Sequence, residues 1–139
     1  MCNVWKVFIE TPLKTTAENF NAQLAKNRIT VPNYNICPSE NVSVVISNFE
    51  QRRLGHMRWV FIPHWYKSIK DGPLLFNARA ETVAEKRGFR DVCLNRRCLI
   101  PTDGFYERIK IEGSKSKPVC IKRSDWQRND LCWDLAIFG

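Results

Sequence analysis

The stretch Arg97-Cys98-Leu99-Ile100-Pro101-Thr102-Asp103-Gly104-Phe105-Tyr106-Glu107-Arg108-Ile109-Lys110-Ile111 decides the fold of this chain. Two largely apolar runs, Arg97–Ile100 and Phe105–Ile111, flank the sequence Pro101-Thr102-Asp103-Gly104. Proline, aspartate and glycine are residues that favour turns, and apolar runs of this length are typical of strands. The stretch therefore predicts two strands joined by a turn.

Further strands are predicted on both sides of this stretch. Val42–Phe49 is apolar and rich in β-branched residues, and Gly55–Ile62 follows it after a polar turn, so both read as strands. Residues 31–40 and 63–73 contain prolines and polar residues that favour loops. Shorter strands are expected at Val4–Ile9, Leu74–Phe76, Val119–Lys122 and Leu131–Phe138.

Two helices are predicted between the strands. The first, Thr15–Lys26, opens with Thr15 and Glu18 at the spacing of a capping box. The second, Glu81–Arg87, is short and has Gly88 at the position of a C-cap. Many short strands with a few short helices predict an α+β fold built mainly from antiparallel β-sheet. At 139 residues, the chain is expected to form a single domain over residues 1–139.

The chain contains no segment that indicates a membrane or secretion. No apolar run approaches the roughly 18 residues that a membrane-spanning helix requires. The first residues, Met1-Cys2-Asn3-Val4-Trp5-Lys6, lack the basic and apolar regions of a signal peptide. We therefore expect an intracellular protein, in the cytoplasm, nucleoid or nucleus, with no membrane partner.

The charge balance is strongly basic. Twenty-two Lys and Arg against fourteen Asp and Glu give a formal net charge of +8. A basic surface concentrates polyanions, so nucleic acid is the first partner to consider, while a solvated surface that only confers solubility is the alternative. The arginines form two clusters in the sequence, Arg52, Arg53 and Arg58, and Arg87, Arg90, Arg96 and Arg97.

The six cysteines do not indicate a disulfide framework or a metal site. No pair has CxxC spacing, so no zinc site is expected. No cofactor is expected either. Reduced thiols are expected in an intracellular chain of this length. The six positions are Cys2, Cys37, Cys93, Cys98, Cys120 and Cys132.

Cys2 is set apart by its position. Removal of Met1 would leave Cys2 with a free α-amine beside its thiol, and their reference pKa values of about 7.7–8.0 and about 8.5 give both a nucleophilic fraction near neutral pH. Such an aminothiol condenses with an aldehyde to an imine, and the thiolate then closes a five-membered thiazolidine ring. The alternative is that a cysteine stands at position two by chance and has no such role.

Five blocks together resemble the SRAP family, the SOS-response-associated, abasic-site-processing proteins of bacteria and eukaryotes. Their order and spacing agree with the family, and the resemblance runs from Met1 to about Phe138, which implies a β-rich, barrel-like core that lacks its C-terminal third. The blocks are Met1-Cys2, Asn35-Ile36-Cys37-Pro38, Met57-Arg58-Trp59-Val60-Phe61-Ile62-Pro63-His64-Trp65, Asn77-Ala78-Arg79-Ala80-Glu81-Thr82 and Arg97-Cys98-Leu99-Ile100-Pro101-Thr102-Asp103-Gly104-Phe105-Tyr106-Glu107.

The resemblance implies a self-modifying, lyase-type activity on DNA. Members of the family capture abasic sites in single-stranded DNA as a thiazolidine crosslink through the N-terminal cysteine, here Cys2. Asn77 matches the asparagine that orients the opened sugar, and Glu107 matches the glutamate that exchanges protons with Cys2. Three residues match DNA-binding positions: Arg79 on the phosphates, and Pro38 and Trp65 between the bases that flank the lesion. The implied partner is single-stranded DNA containing abasic sites, bound by a monomer.

Departures from the family pattern leave two other functions open. Asn3 and Val4 replace a Gly-Arg pair, Arg108 replaces a tryptophan, and neither His56 nor His64 occupies the position of the family's catalytic histidine. One alternative is a hydrolase or self-processing peptidase with an N-terminal cysteine, a class also proposed for the family. The other is a non-catalytic remnant that binds single-stranded DNA.

Overall fold

The computed structural model describes residues 6–25, 31–68, 70–79, 81–122 and 132–137. The described elements are two helices, α1 (Leu13–Asn19) and α2 (Arg90–Asn95), and nine strands, β1 (Lys6–Ile9), β2 (Ala22–Leu24), β3 (Asn33–Ile36), β4 (Asn41–Ser47), β5 (Arg52–Arg58), β6 (Arg97–Thr102), β7 (Gly104–Ile109), β8 (Lys117–Lys122) and β9 (Cys132–Ile137).

The strands form two sheets that face each other. One has four strands in the order β3-β1-β7-β8, and the other has five in the order β2-β5-β4-β6-β9. All pairings are antiparallel except that of β2 with β5. The α+β prediction is confirmed, and the core takes the form of two open, packed sheets rather than a closed barrel.

The chain crosses from one sheet to the other at Asp103. β6 lies in the five-stranded sheet and β7 in the four-stranded sheet, so the two predicted strands exist but do not pair with each other. Pro101 and Thr102 belong to β6 and Gly104 to β7, which leaves Asp103 alone at the crossing. The predicted turn is therefore a link between sheets rather than a hairpin loop.

Asp103 fastens this crossing to the end of β1. Its backbone N–H donates to the carbonyl of Phe8 over 3.0 Å. Its carboxylate accepts from the backbone N–H of Glu10 (2.5 Å), from that of Thr11 (2.8 Å) and from the Thr11 hydroxyl (2.6 Å). One side chain thus satisfies three donors of the segment that leaves β1.

The main core lies between the two sheets. Val7 and Ile9 of β1 pack with residues of β4 and β6 because apolar side chains alternate to one face of each strand. Burial of this apolar surface is the chief stabilising contribution to such a fold. The buried members of the cluster are Val7, Ile9, Ile36, Val42, Val44, Trp59, Cys98 and Ile100.

A second, smaller core covers the other face of the five-stranded sheet. Ala17 of α1 packs there against Val45 of β4 and Leu54 of β5, and Leu54 is completely buried. Residues 42–45 are all buried because β4 has a core on both faces. The continuous apolar run that predicted β4 reflects this burial on both sides.

The prediction of a helix over Thr15–Lys26 is correct only in its first half. α1 ends at Asn19, the chain turns at Asn21 with a φ of 47°, and β2 then pairs in parallel with β5. The capping box is not formed: the N-cap residue is Pro12, which has no side-chain cap. The helix stops because Ala22–Leu24 forms backbone hydrogen bonds with β5 instead. The local sequence pattern does not reveal this pairing.

The second predicted helix is displaced. Residues 81–89 form consecutive turns in place of a helix over Glu81–Arg87, and the helix α2 starts only at Arg90. The backbone N–H groups of Thr82 and Val83 both donate to the carbonyl of Arg79, so one hydrogen bond spans three residues and the other spans four. This mixture of 3₁₀-type and α-type bonds is not the pattern of a regular helix. Gly113 is the glycine with positive φ among the described residues, so Gly88 does not adopt the left-handed conformation of a C-cap.

Other boundaries differ in smaller ways. The loop predicted over residues 31–40 contains β3, and the expected strand Leu74–Phe76 is reduced to a single bridge between Leu75 and Phe61. β8 is an outer strand with Lys117 and Pro118 at one end and Lys122 at the other. No helix in the described ranges is both long and apolar enough to cross a bilayer.

Gly104 offers a test of the sheet crossing. A Cβ at this position would lie 2.5 Å from the carbonyl oxygen of Ile121 and 2.5 Å from the ring of Phe8. We expect G104A to lower the free energy of unfolding by about 1–3 kcal/mol, because backbone and a buried ring must both shift. Urea titration followed by circular dichroism measures the change.

The matched control is G55A in β5. A Cβ there meets only the Cβ of Ala25 at 3.9 Å, an ordinary contact, so the same substitution should change stability by less than about 1 kcal/mol. Equal effects of the two substitutions would contradict this account of Gly104.

Candidate functional site

The candidate site lies where β1 begins. β1 runs between β3 and β7, with Lys6 opposite Tyr106 and Val7 opposite Ile36. Because both pairings are antiparallel, the amino-terminal end of β1 adjoins the carboxyl end of β3 and the middle of β7. Pro38 follows β3 and Glu107 follows Tyr106, so the structure brings both predicted residues to the same end of the sheet.

Cys2 lies outside the described residues, as do Asn3 and Val4. The first described residue after it is Lys6, which is separated from Cys2 by four steps along the chain. Lys6 is held in place through its ladder position beside Tyr106 and through a 2.7 Å hydrogen bond from its Nζ to Oδ1 of Asn35. This contact joins the start of β1 to β3.

Glu107 is half-buried on the core-facing side of β7. Its backbone pairs with Val119 of β8, and its side chain points to the same face as Phe105, which packs against the main core. Within the described ranges, the Glu107 carboxylate forms no hydrogen bond or ion pair. A carboxylate in this position can accept a proton from a neighbouring group without first breaking a hydrogen bond or an ion pair within the described ranges.

Pro38 is held in a rigid turn, Cys37–Glu40. The backbone N–H of Cys37 donates to Oε2 of Glu40 over 2.7 Å, and the N–H of Glu40 donates back to the carbonyl of Cys37 over 3.1 Å. Two further backbone hydrogen bonds of 2.8 Å join Ser39 and Glu40 to Trp59, which belongs to the main core. The turn therefore holds a half-buried proline in a fixed orientation.

A polar cleft of about 720 Å³ opens beside this turn. Arg58 fixes one wall of it by donating from Nε to the carbonyl of Ser39 over 2.9 Å. Amide side chains supply both donors and acceptors, so the cleft suits a ligand with polar edges. Sequence reasoning missed it, although three asparagines within residues 33–41 were the available signal. The lining residues are Asn33, Asn35, Ser39, Glu40, Asn41 and Arg58.

Trp65, Asn77 and Arg79 lie on two adjoining loops. The backbone N–H of Phe61 donates to the carbonyl of Leu75 over 2.6 Å, and this bridge joins the loop that bears Trp65 to the loop that bears Asn77 and Arg79. Asn77 and Arg79 are exposed, and half of the Trp65 surface is accessible. The loops connect to the turn of Pro38 through the chain from Trp59 to Phe61. No hydrogen bond in the described part of the chain joins them to Glu107.

Neither histidine lies beside Glu107 in the sheets. His64 is exposed on the Trp65 loop. Its ring is nearly perpendicular to the Trp65 indole, and the two ring centroids are 5.0 Å apart. His56 of β5 lies opposite Ser43 and, like Leu54, faces the side of the sheet that α1 covers. Among the residues with described positions, no three His, Cys, Asp or Glu side chains form a cluster that could hold a metal ion.

The comparison with protein families decides the relationship. The model of the family described as "SOS response associated peptidase (SRAP)" matches residues 1–132. The chain belongs to the SRAP family. The resemblance that the five sequence blocks indicated is thereby confirmed.

Relatives with curated names support this placement. This SRAP chain is 43% identical over 91 residues to the "Abasic site processing protein YoaM" of Bacillus subtilis, a match that covers 66% of the chain and 40% of the relative. It is 38% identical over 123 residues to the "Abasic site processing protein YoqW" of the same organism, covering 88% of the chain and 54% of the relative. The chain thus spans about half the length of the relatives it matches.

The fold has a counterpart among solved structures. A crystal structure of a protein from Bacteroides thetaiotaomicron superposes on this SRAP chain with a TM-score of 0.73 at 22% identity. The match covers 87% of this chain and 55% of the other. At this identity the likeness concerns the fold alone, and it agrees with the two packed sheets described above.

The turn of Pro38 can be tested through Glu40. We expect E40A to speed hydrogen exchange at the backbone amide of Cys37 on the order of tenfold, because it removes the charged acceptor of that amide. Amide exchange followed by NMR measures the effect residue by residue. E50A, at an exposed position between β4 and β5, is the control and should leave the Cys37 amide unchanged. An unaltered Cys37 amide in E40A would show that the carboxylate does not hold the turn.

Proposed function

We propose that this protein captures abasic sites in single-stranded DNA as a covalent thiazolidine crosslink through Cys2, after removal of Met1. Membership of the SRAP family supports the proposal, as do relatives that are named abasic site processing proteins. The strongly basic composition, with a formal net charge of +8, suits a polyanionic substrate.

The observation that carries the proposal is the central place of β1 beside Glu107. Cys2 precedes Lys6 by four residues, and four Cα–Cα steps of about 3.8 Å reach no farther than ~15 Å. Lys6 lies directly opposite Tyr106, the neighbour of Glu107, and opposed residues in an antiparallel ladder are about 5 Å apart. A segment of this length is long enough to bring the α-amine and thiol of Cys2 to the Glu107 carboxylate, which supports the proposal.

The proposed chemistry proceeds in two stages, a condensation that forms an imine and an addition that closes the ring. An abasic deoxyribose in its ring-opened form carries an aldehyde at C1′, and the α-amine of Cys2 attacks that carbon to give a carbinolamine. Loss of one water forms the imine. The Cys2 thiolate then adds to the imine carbon while the nitrogen takes up a proton, so that aldehyde and aminothiol combine with the net release of one water.

Glu107 is proposed to move the protons of this sequence. The amine must lose a proton as it attacks, the carbinolamine oxygen must gain one as water leaves, and the thiol must lose one before ring closure. A carboxylate without a hydrogen-bond partner in the described part of the chain can serve each transfer in turn. Asn77 is proposed to orient the opened sugar through its amide.

Three further residues are proposed to hold the DNA. Arg79 is exposed on the same loop as Asn77, where its guanidinium can bind a phosphate. Trp65 exposes half of its surface, which provides a platform on which a base can stack. Pro38, fixed in its turn, is an apolar wedge between the bases on either side of the lesion.

The crosslink itself is the decisive test. Protein that has lost Met1, incubated with a single-stranded oligonucleotide bearing one abasic site, should gain the mass of the oligonucleotide less one water. C2A should form no adduct, whereas C120A, which alters an exposed cysteine on β8, should react like the unmodified protein. Intact-mass spectrometry measures all three, and an equal adduct with C2A would overturn the proposal.

The role of Glu107 predicts a rate effect. E107Q keeps the shape of the side chain but cannot exchange protons, so the rate of adduct formation should fall by roughly 10²–10⁴. E112Q, on the exposed turn between β7 and β8, should leave the rate unchanged. Quenched time courses on denaturing gels measure both, and a normal rate for E107Q would assign the proton transfers elsewhere.

A further inference from the structure

A cluster of aromatic and charged side chains covers Phe8 on the outer face of the four-stranded sheet. Phe8 points away from the main core because both of its neighbours in β1 belong to that core, yet only 1% of its surface is exposed. The ring of Tyr106 packs against it, with centroids 5.6 Å apart and planes inclined at 53°. Nζ of Lys122 lies 4.8 Å from the centre of the Phe8 ring and forms an ion pair of 3.3 Å with Glu10. The half-buried Tyr106 therefore rests on a ring that is itself held in place.

The hydroxyl of Tyr106 reaches from β7 across β1 to β3. It donates to the backbone carbonyl of Tyr34 over 3.3 Å. Because β1 lies between β7 and β3, this hydrogen bond joins two strands that do not pair with each other. On the same face, Lys6 of β1 donates to Oδ1 of Asn35 in β3 over 2.7 Å. The three strands are thus joined at this end of the sheet by side chains as well as by backbone pairing.

The hydrogen bond of Tyr106 lies next to the residues of the candidate site. Tyr106 precedes Glu107 in β7, and Tyr34 lies in the strand that leads into the turn of Pro38. Successive side chains of a strand point to opposite faces, so the Tyr106 ring faces away from the Glu107 carboxylate. Any effect of Tyr106 on the site therefore passes through the backbone of β7 rather than through contact with a ligand.

We propose that Tyr106 is a positioning residue for Glu107. Its ring, packed on Phe8, and its hydroxyl, bonded to β3, hold β7 so that the Glu107 carboxylate keeps a constant position relative to the beginning of β1 and the turn of Pro38. The inference rests on the proposed function, in which Glu107 moves protons for Cys2. Proton transfer requires donor and acceptor within hydrogen-bond reach, so a small displacement of β7 lowers the rate although every reacting group is still present.

The first test removes the Tyr106 hydroxyl alone. Y106F keeps the ring on Phe8 but cannot donate to the carbonyl of Tyr34. With a single-stranded oligonucleotide bearing one abasic site, the maximal rate constant of adduct formation should fall by about 10-fold, because a misplaced catalytic group slows the chemical step. The oligonucleotide concentration that gives half of this rate should stay the same, since Tyr106 does not contact the DNA. Quenched time courses at a series of oligonucleotide concentrations, resolved on denaturing gels, give both values.

The matched control is Y34F. It removes a phenolic hydroxyl from a side chain that is 53% exposed, and it leaves in place the backbone carbonyl that accepts from Tyr106. Its maximal rate constant should equal that of the unaltered protein. Urea titration followed by circular dichroism checks that both variants are folded under the assay conditions. Equal rate constants for Y106F and Y34F would overturn the inference.

The second test determines whether Tyr106 acts through Glu107. Y106F is measured in the unaltered protein and again in E107Q, so that the four rate constants form a double-mutant cycle. When the carboxylate is absent its position no longer matters, and Y106F/E107Q should therefore react at the rate of E107Q. If Y106F instead lowered the rate constant by the same factor in both backgrounds, Tyr106 would have only a general structural role and the inference would be wrong.

A measurement on the protein without DNA separates this inference from the crosslinking proposal. The ¹³C NMR signal of the Glu107 side-chain carboxyl group should shift in Y106F and stay in place in Y34F. A shift in Y106F, together with no adduct from the unaltered protein, would reject the covalent chemistry and retain the effect of Tyr106 on the position of Glu107. An unmoved signal in Y106F would overturn the inference whether or not the adduct forms.

Discussion

The bonds of the Asp103 carboxylate to the end of β1 are the constraint on which the rest of the structure depends. They hold the chain where it passes from the five-stranded to the four-stranded sheet, and they fix Glu10 and Thr11 next to that crossing. Because the crossing is fixed, β7 starts directly alongside β1, and Gly104 can lie against the ring of Phe8. The central position of β1, and with it the end of the sheet where the candidate site lies, follows from this arrangement.

The candidate site is assembled from segments that differ in how firmly they are held. Glu107 belongs to a strand with partners on both sides, and Pro38 is bound through backbone hydrogen bonds to the buried Trp59. Trp65, Asn77 and Arg79 lie instead on loops, outside the strands, that the bridge between Phe61 and Leu75 joins. A fixed carboxylate suits the proton transfer proposed for Glu107, which needs short and constant distances, whereas loops suit the proposed contacts with DNA of varying sequence.

Much of the fold and part of the site could be predicted from the sequence. β4 was evident because burial on both faces gives it a continuous apolar run, and the five motif blocks identified the family correctly. The prediction of a helix over Thr15–Lys26 was wrong in its second half, where the chain forms β2 instead. β2 is stabilised by pairing with β5, a contact between residues that are distant in the sequence. The polar cleft was missed for a similar reason, since Arg58 joins the asparagines only after β5 pairs with β4. Cys2, Asn77, Glu107, Arg79, Pro38 and Trp65 stay predictions as functional residues.

Among the described strands, β8 stands at the edge of its sheet, and this position has a consequence for how copies of the protein meet one another. Pro118 has no backbone N–H, and lysines stand at both ends of the strand. An unpaired strand edge invites a neighbouring molecule to continue the sheet, and an imino acid together with repelling ammonium groups opposes that addition. Within the described part of the chain, Pro118 and these lysines therefore oppose self-association through the edge of β8 at high concentration.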